Sequence, residues 1–155
     1  MHELIRIATK EVGTKESPAG SNKVKYNTWI YGKEVEGKEY PWCLAFASWV
    51  YDQGGMRIKG MGLLRGGVGC QYAVANISKW GKLVTKPEEA DLVFYDWQGD
   101  GKFDHVGLFQ EHIGNGEFWA IEGNTSPNDF SDGGTVAVMK RKYKNCIFVR
   151  PNSKK

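Results

Sequence analysis

His105-Val106-Gly107-Leu108-Phe109-Gln110-Glu111-His112-Ile113-Gly114-Asn115-Gly116-Glu117-Phe118-Trp119-Ala120-Ile121-Glu122 sets two runs of β-branched and aromatic residues on either side of Gly114-Asn115-Gly116. Such runs read as strands, and a short turn of glycine and asparagine joins them as an antiparallel hairpin. The same texture recurs in Asp91-Leu92-Val93-Phe94-Tyr95 before the hairpin, and in Thr135-Val136-Ala137-Val138-Met139 and Cys146-Ile147-Phe148-Val149 after it. The connections are too short to hold crossover helices, so the spacing predicts a mainly antiparallel sheet.

Upstream the apolar period changes. In Tyr40-Pro41-Trp42-Cys43-Leu44-Ala45-Phe46-Ala47-Ser48-Trp49-Val50, a helix over 42–53 places Cys43, Phe46, Ala47 and Val50 on one buried stripe. Pro41 suits its beginning and Gly54-Gly55 its end. A first amphipathic helix carries Leu4, Ile5, Ala8 and Val12 on one side, with Gly13 as its stop. Residues 14–40, rich in Gly, Ser, Asn and Lys around Tyr26, Trp29, Tyr31 and Tyr40, read as short helix and loop forming a groove wall. The glycine-rich stretch 60–69 is left unassigned, and a further helix is expected near 70–80. Helices first and strands second predict an α+β domain with segregated layers.

A chain of 155 residues has room for one such domain, over 1–150, with 151–155 as a tail or the start of a linker. Its net charge of +3 comes from scattered lysines, which argues against nucleic acid and suits a polyanionic surface such as a cell wall. The opening residues lack an uninterrupted apolar core, so neither a signal peptide nor a membrane span is expected. Three cysteines, Cys43, Cys70 and Cys146, leave at least one thiol free and indicate no disulfide framework.

The placement of Cys43 points to chemistry. A helix start favours the thiolate through its free amides and dipole, and the same amides can receive an oxyanion. Of the three histidines, His2 lies at the terminus and His112 at the hairpin tip, which leaves His105 as the available base. Glu122 and Asn124 end the neighbouring strand, and a two-residue separation puts both on one face. With Cys43 supplied by the helix packed on that face, His105 would hold the thiolate and protonate a leaving amine. Glu122 would fix the imidazole, and Asn124 would add a hydrogen bond. Each residue also has a plainer reading: a core cysteine, a surface histidine, a turn glutamate. Cys70 and Cys146 are expected to be dispensable for chemistry.

Asp96-Trp97-Gln98-Gly99-Asp100-Gly101-Lys102-Phe103-Asp104 alternates oxygen-bearing residues and then supplies a glycine, as a calcium-binding EF-hand-type loop does. Asp96, Gln98, Asp100 and Asp104 are the candidate ligands for a structural or regulatory Ca2+ that the chemical step would not require. Gly107 stands where the bidentate glutamate belongs, and a polar hairpin loop without metal is the alternative.

Pro41-Trp42-Cys43-Leu44-Ala45-Phe46, Asp104-His105-Val106-Gly107 and Ile121-Glu122-Gly123-Asn124-Thr125, in that order, resemble the CHAP family of cysteine, histidine-dependent amidohydrolases and peptidases. The stretch Glu11-Val12-Gly13-Thr14-Lys15-Glu16-Ser17-Pro18-Ala19-Gly20-Ser21-Asn22 looks like the front of such domains in bacteriophage endolysins. The resemblance runs from about residue 3 to Pro151. It implies a papain-like fold and amide hydrolysis in bacterial peptidoglycan, with Cys43 as nucleophile, His105 as base, and Glu122 and Asn124 as orienting residues. Amidase and endopeptidase both fit. It further implies a monomer made in an infected bacterial cytoplasm and acting on the wall, as the catalytic part of a longer endolysin with a C-terminal wall-binding module. The rivals are a non-catalytic wall-binding module on the same fold and a wall glycosidase using Glu122, with Asp104 as the nearest second carboxylate.

Overall fold

The computed structural model describes residues 1–61, 69–125 and 134–152, so most of the unassigned glycine-rich stretch lies outside the described residues. Among the described residues five helices precede six strands: α1 (Glu3–Lys10), α2 (Lys25–Tyr31), α3 (Cys43–Gln53), α4 (Cys70–Ala75), α5 (Ile77–Trp80), then β1 (Gly81–Val84), β2 (Leu92–Tyr95), β3 (His105–Gly114), β4 (Glu117–Thr125), β5 (Thr135–Lys142) and β6 (Cys146–Pro151). The strands form one antiparallel sheet in the order β1-β6-β2-β3-β4-β5. The expected α+β class and all five expected strands are present.

Four local readings change. Val12 is 44% exposed and lies beyond α1, whose buried face is Leu4, Ile5 and Ala8. Helix α3 is buried nearly all round rather than along one stripe, from Cys43 through Ser48 and again at Val50 and Tyr51. It is wedged among α1, α2 and the sheet, which is why its sequence is apolar on every side. The helix near 70–80 is two short ones meeting at Asn76. Strand β1 adds to the five expected strands; Gly81-Lys82-Leu83-Val84 has little strand composition, and pairing with β6 sets its conformation.

The sheet has two unlike faces. Leu92, Phe94, Val106, Leu108 and Ile121 join the cluster built by Trp42, Phe46, Ala47 and Val50 of the α3 region. Val93, Tyr95, Phe109, Phe118, Ala120 and Phe148 form a second cluster on the other face. Alternation along β2, β3 and β4 separates the two sets.

Candidate active site

The start of α3 is fixed from outside the helix. Trp42, its N-cap, makes no side-chain cap hydrogen bond but donates its buried indole N–H to Glu16 Oε2 at 3.0 Å. Glu16 also accepts the amides of Gly20 and Asn22 at 2.8 and 3.0 Å, so the loop after α1 anchors the residue before Cys43. Further along, a Cβ on Gly123 would lie 2.6 Å from Phe46 Cβ and 2.9 Å from Trp42 Cζ3, so β4 and α3 touch only because position 123 is glycine.

His105 opens β3 opposite Tyr95, and its Nε2 lies 2.9 Å from Glu122 Oε1. Nδ1 is thereby left for Cys43, whose sulfur and the imidazole each shift the other's pKa toward the charged form. A Cβ on Gly107 would lie 2.6 Å from Glu122 Cγ, which explains the glycine two residues after the histidine: the carboxylate crosses the backbone there. Gly107 is thus a packing position in the strand, with no ligand role.

Glu122 is completely buried and fully partnered. Its Oε2 accepts from Tyr95 Oη at 2.8 Å and Arg141 Nε at 2.9 Å, while Arg141 Nη2 donates to Oε1. The Arg141 guanidinium also lies 5.2 and 5.0 Å from the ring centroids of Tyr95 and Trp97. Trp97, 42% exposed, stacks on His105 at 5.4 Å and on Tyr95 at 5.3 Å, screening the imidazole from water. Arg141, Tyr95 and Trp97 were missed in the sequence. A signal for Arg141 existed, since it continues the inward alternation Ala137, Met139, Arg141 of β5 beyond the apolar run.

These contacts set the charges. Burial pulls the His105 imidazolium down, but the Glu122 and Cys43 charges outweigh it and raise its pKa to about 10. Burial likewise disfavours ionised Glu122, yet His105 and Arg141 hold it at about 2. Cys43 titrates well below an ordinary thiol: a hydrogen bond from Cys70 contributes most, burial opposes it, and the His105 charge, the His105 hydrogen bond and the Val106 amide add to the lowering. The neutral partner is Cys70, pushed well above the usual range by its hydrogen bond to Cys43, by burial and by nearby negative charge. These directions favour a thiolate and imidazolium at rest, with an ionised Glu122 behind them balanced by Arg141.

Two expectations about placement change. His105, Glu122, Tyr95 and Arg141 belong to the face opposite α3, and the sulfur meets the imidazole where the helix start overlaps the first residue of β3. Asn124 does not continue the alternation of Glu122: the β4 to β5 register shifts between Glu122 and Thr125, and Asn124 has φ 55°. Among the described residues, no hydrogen bond links Asn124 to His105 or Cys43. Cys70, which the sequence leaves without a role in the chemistry, has its sulfur 4.0 Å from that of Cys43. His112 is away from the site, against Tyr143 Oη at 2.7 Å.

The Asp96 loop is closed on itself. Asp96 accepts the amides of Asp100 and Gly101 at 3.1 and 2.8 Å, and Asp100 accepts that of Lys102 at 2.9 Å. Among the described residues, no three His, Cys, Asp or Glu side chains converge as a metal cage. As arranged, the Asp96 and Asp100 carboxylates are engaged by loop amides.

Comparison with known families matches residues 35–124 to the CHAP domain, a span that holds Cys43, His105, Glu122 and Asn124. The chain belongs to the CHAP family. As a CHAP domain it is also similar in fold to the crystal structure of the wild-type endolysin LysIME-EF1, with a TM-score of 0.54 and 13% sequence identity. The similarity covers 97% of this chain and 65% of that one, so the chain spans just under two thirds of that protein's length. No curated protein matches it in sequence. Among the described residues, no helix is long and apolar enough to cross a membrane.

Proposed function

We propose that this CHAP domain is a cysteine-dependent peptidoglycan hydrolase that cuts amide bonds as an N-acetylmuramoyl-L-alanine amidase or an endopeptidase, and that it serves as the catalytic part of an endolysin. The observation that carries the reading is the chain of contacts from Cys43 through His105 to Glu122, buried and closed by Arg141. A non-catalytic wall-binding module would have no use for a buried ion pair of this kind, since buried charges are costly unless their geometry is used.

In this reading the Cys43 thiolate attacks the amide carbonyl, and the first-turn amides of α3 receive the developing oxyanion. The His105 imidazolium gives its proton to the leaving amine, and the neutral ring then takes a proton from the water that hydrolyses the thioester. Glu122, held by Tyr95 and Arg141, keeps Nε2 engaged so that Nδ1 faces the sulfur. Asn124 acts at the rim of the site. Calcium binding by Asp96, Gln98, Asp100 and Asp104 is a separate proposal, which requires the Asp96 carboxylate to leave the loop amides. The domain works as a monomer on the bacterial wall after synthesis in an infected cytoplasm, joined to a wall-binding module.

The test is the chemistry of the fragments released from purified Gram-positive walls. New amino groups without new reducing sugar ends are expected, and the amino groups should not appear with a folded Cys43→Ala variant. Reducing ends would indicate a glycosidase, and release unchanged by Cys43→Ala would overturn the nucleophile.

A further inference from the structure

Cys43 and Cys70 are 27 residues apart in sequence, yet each opens a helix, α3 and α4, and their sulfurs are 4.0 Å apart. Both line one cavity of about 140 Å³ that also holds Tyr31, Pro41, Phe103 and Asp104. Each residue is 7% exposed, so a small oxidant in that cavity reaches either sulfur while bulk solvent is largely excluded. We infer that Cys70 is a resolving cysteine for the nucleophile, and that mild oxidation by a peroxide closes a reversible Cys43–Cys70 disulfide that silences the site and spares Cys43 from irreversible oxidation.

The chemistry balances in two steps. The Cys43 thiolate attacks one oxygen of hydrogen peroxide, whose O–O bond breaks, giving a sulfenic acid on Cys43 and a hydroxide that takes the His105 imidazolium proton and leaves as water. The Cys70 sulfur then attacks the Cys43 sulfur and displaces its oxygen, which leaves as water carrying the Cys70 proton. Two thiols are oxidised by two electrons, and the peroxide is reduced to two waters. A disulfide needs the sulfurs at about 2.05 Å, so they must close by about 2 Å. The residue before Cys70 gives slack for this: Gly69 is extended, and among the described residues nothing lies within 4 Å of its would-be Cβ. The asymmetry of the pair sets the roles. Cys43 contacts the imidazolium and is the thiolate, so it is oxidised first, while Cys70 keeps its proton until it attacks. Cys146 takes no part: its sulfur lies 3.2 Å from the Tyr143 carbonyl oxygen, on the other side of the sheet.

The inference rests on the reactive thiolate assigned to Cys43 above, and the closing experiment reads it without lytic activity. The chain is treated with a small molar excess of hydrogen peroxide, the remaining thiols are alkylated, and intact and peptide masses are taken. The parent should become about 2 Da lighter, take up alkylating agent at Cys146 alone, and yield a Cys43–Cys70 cross-linked peptide. Dithiothreitol should restore both thiols and whatever wall activity the untreated sample had. Cys70→Ser should instead gain about 32 Da at Cys43, the sulfinic acid, and recover nothing. Should Cys70→Ser fail to fold, the cross-linked peptide of the parent still decides. A parent that gains oxygen at Cys43 without the cross-link, or a folded Cys70→Ser variant that recovers as the parent does, would overturn the inference.

Discussion

The two faces of the sheet are made from the same strands and do different work. Toward α3, Val106, Leu108 and Ile121 meet Phe46 and Val50 in a dry contact that specifies the fold. On the other face the alternate residues His105, Gly107 and Glu122 join Tyr95 and Arg141 in a network that specifies charge. One glycine serves each face: Gly123 lets α3 approach β4, and Gly107 lets the Glu122 side chain cross the backbone. Period-2 alternation thus lets a hairpin carry a core and an active site without either intruding on the other.

The sharpest way to break that division is at the charged face. His105→Ala should lower the rate of wall hydrolysis on the order of a hundredfold to ten-thousandfold while the fold persists, because the proton carrier is lost and the helix-side core is untouched. Steady-state rates on purified peptidoglycan, with circular dichroism beside them, check both halves. Glu122→Ala should cost less rate than His105→Ala, and Asn124→Ala less again, because the first only positions the imidazole and the second makes no hydrogen bond to it.

Arg141→Met should affect stability more than its distance from the sulfur suggests. Removing one partner of a buried ion pair typically costs about 3–5 kcal/mol, and Arg141 is the cation that balances Glu122. Denaturant melts measure this, and Arg141→Lys should recover part of the loss. Gly107→Ala and Gly123→Ala sharpen the comparison further. Each overpacks one face, at about 1–3 kcal/mol, but Gly107→Ala should lose activity out of proportion to its stability, because it displaces Glu122. Equal activity per folded molecule in the two variants would erase the distinction between the faces.

Stability should follow pH through the same network. Glu122 has a depressed pKa, so its contribution is present above the ordinary carboxylate range and fades as pH falls toward about 2. His105 has a raised pKa, so its contribution is full below the ordinary imidazole range and is lost as pH rises through about 10. Melting temperatures across that upper window should fall in the parent and flatten in His105→Ala. The smallest expected effect is calcium. On metal-stripped protein, stabilisation should appear only at millimolar concentrations and vanish in Asp100→Ala, since the Asp96 carboxylate must first leave its amides; tight binding, or none at millimolar calcium, would remove the proposal.

Much of this was legible in the sequence. Strand texture gave five strands, and the helix-start cysteine, a process of elimination among histidines and the strand-end glutamate gave Cys43, His105 and Glu122. What was not legible depends on contacts distant in sequence. The alternation of β5 marks Arg141 as inward, but its partner shows only when Glu122 comes within hydrogen-bond reach. Cys70 has no local mark at all, and only the packing of two helix starts brings it to the nucleophile. The bulge after Glu122 is a backbone event at Gly123-Asn124, and simple alternation projected through it misplaced Asn124.

The central claim is that Cys43 rests as a thiolate against the His105 imidazolium. The most direct measurement is the rate of Cys43 alkylation by iodoacetamide as a function of pH, read by peptide mass so that Cys70 and Cys146 are counted separately. The rate should already be at its plateau well below the ordinary thiol pKa of about 8.5, and His105→Ala should move the midpoint upward. A parent midpoint at or above the ordinary thiol value, unchanged in His105→Ala, would contradict the ion pair and the chemistry built on it.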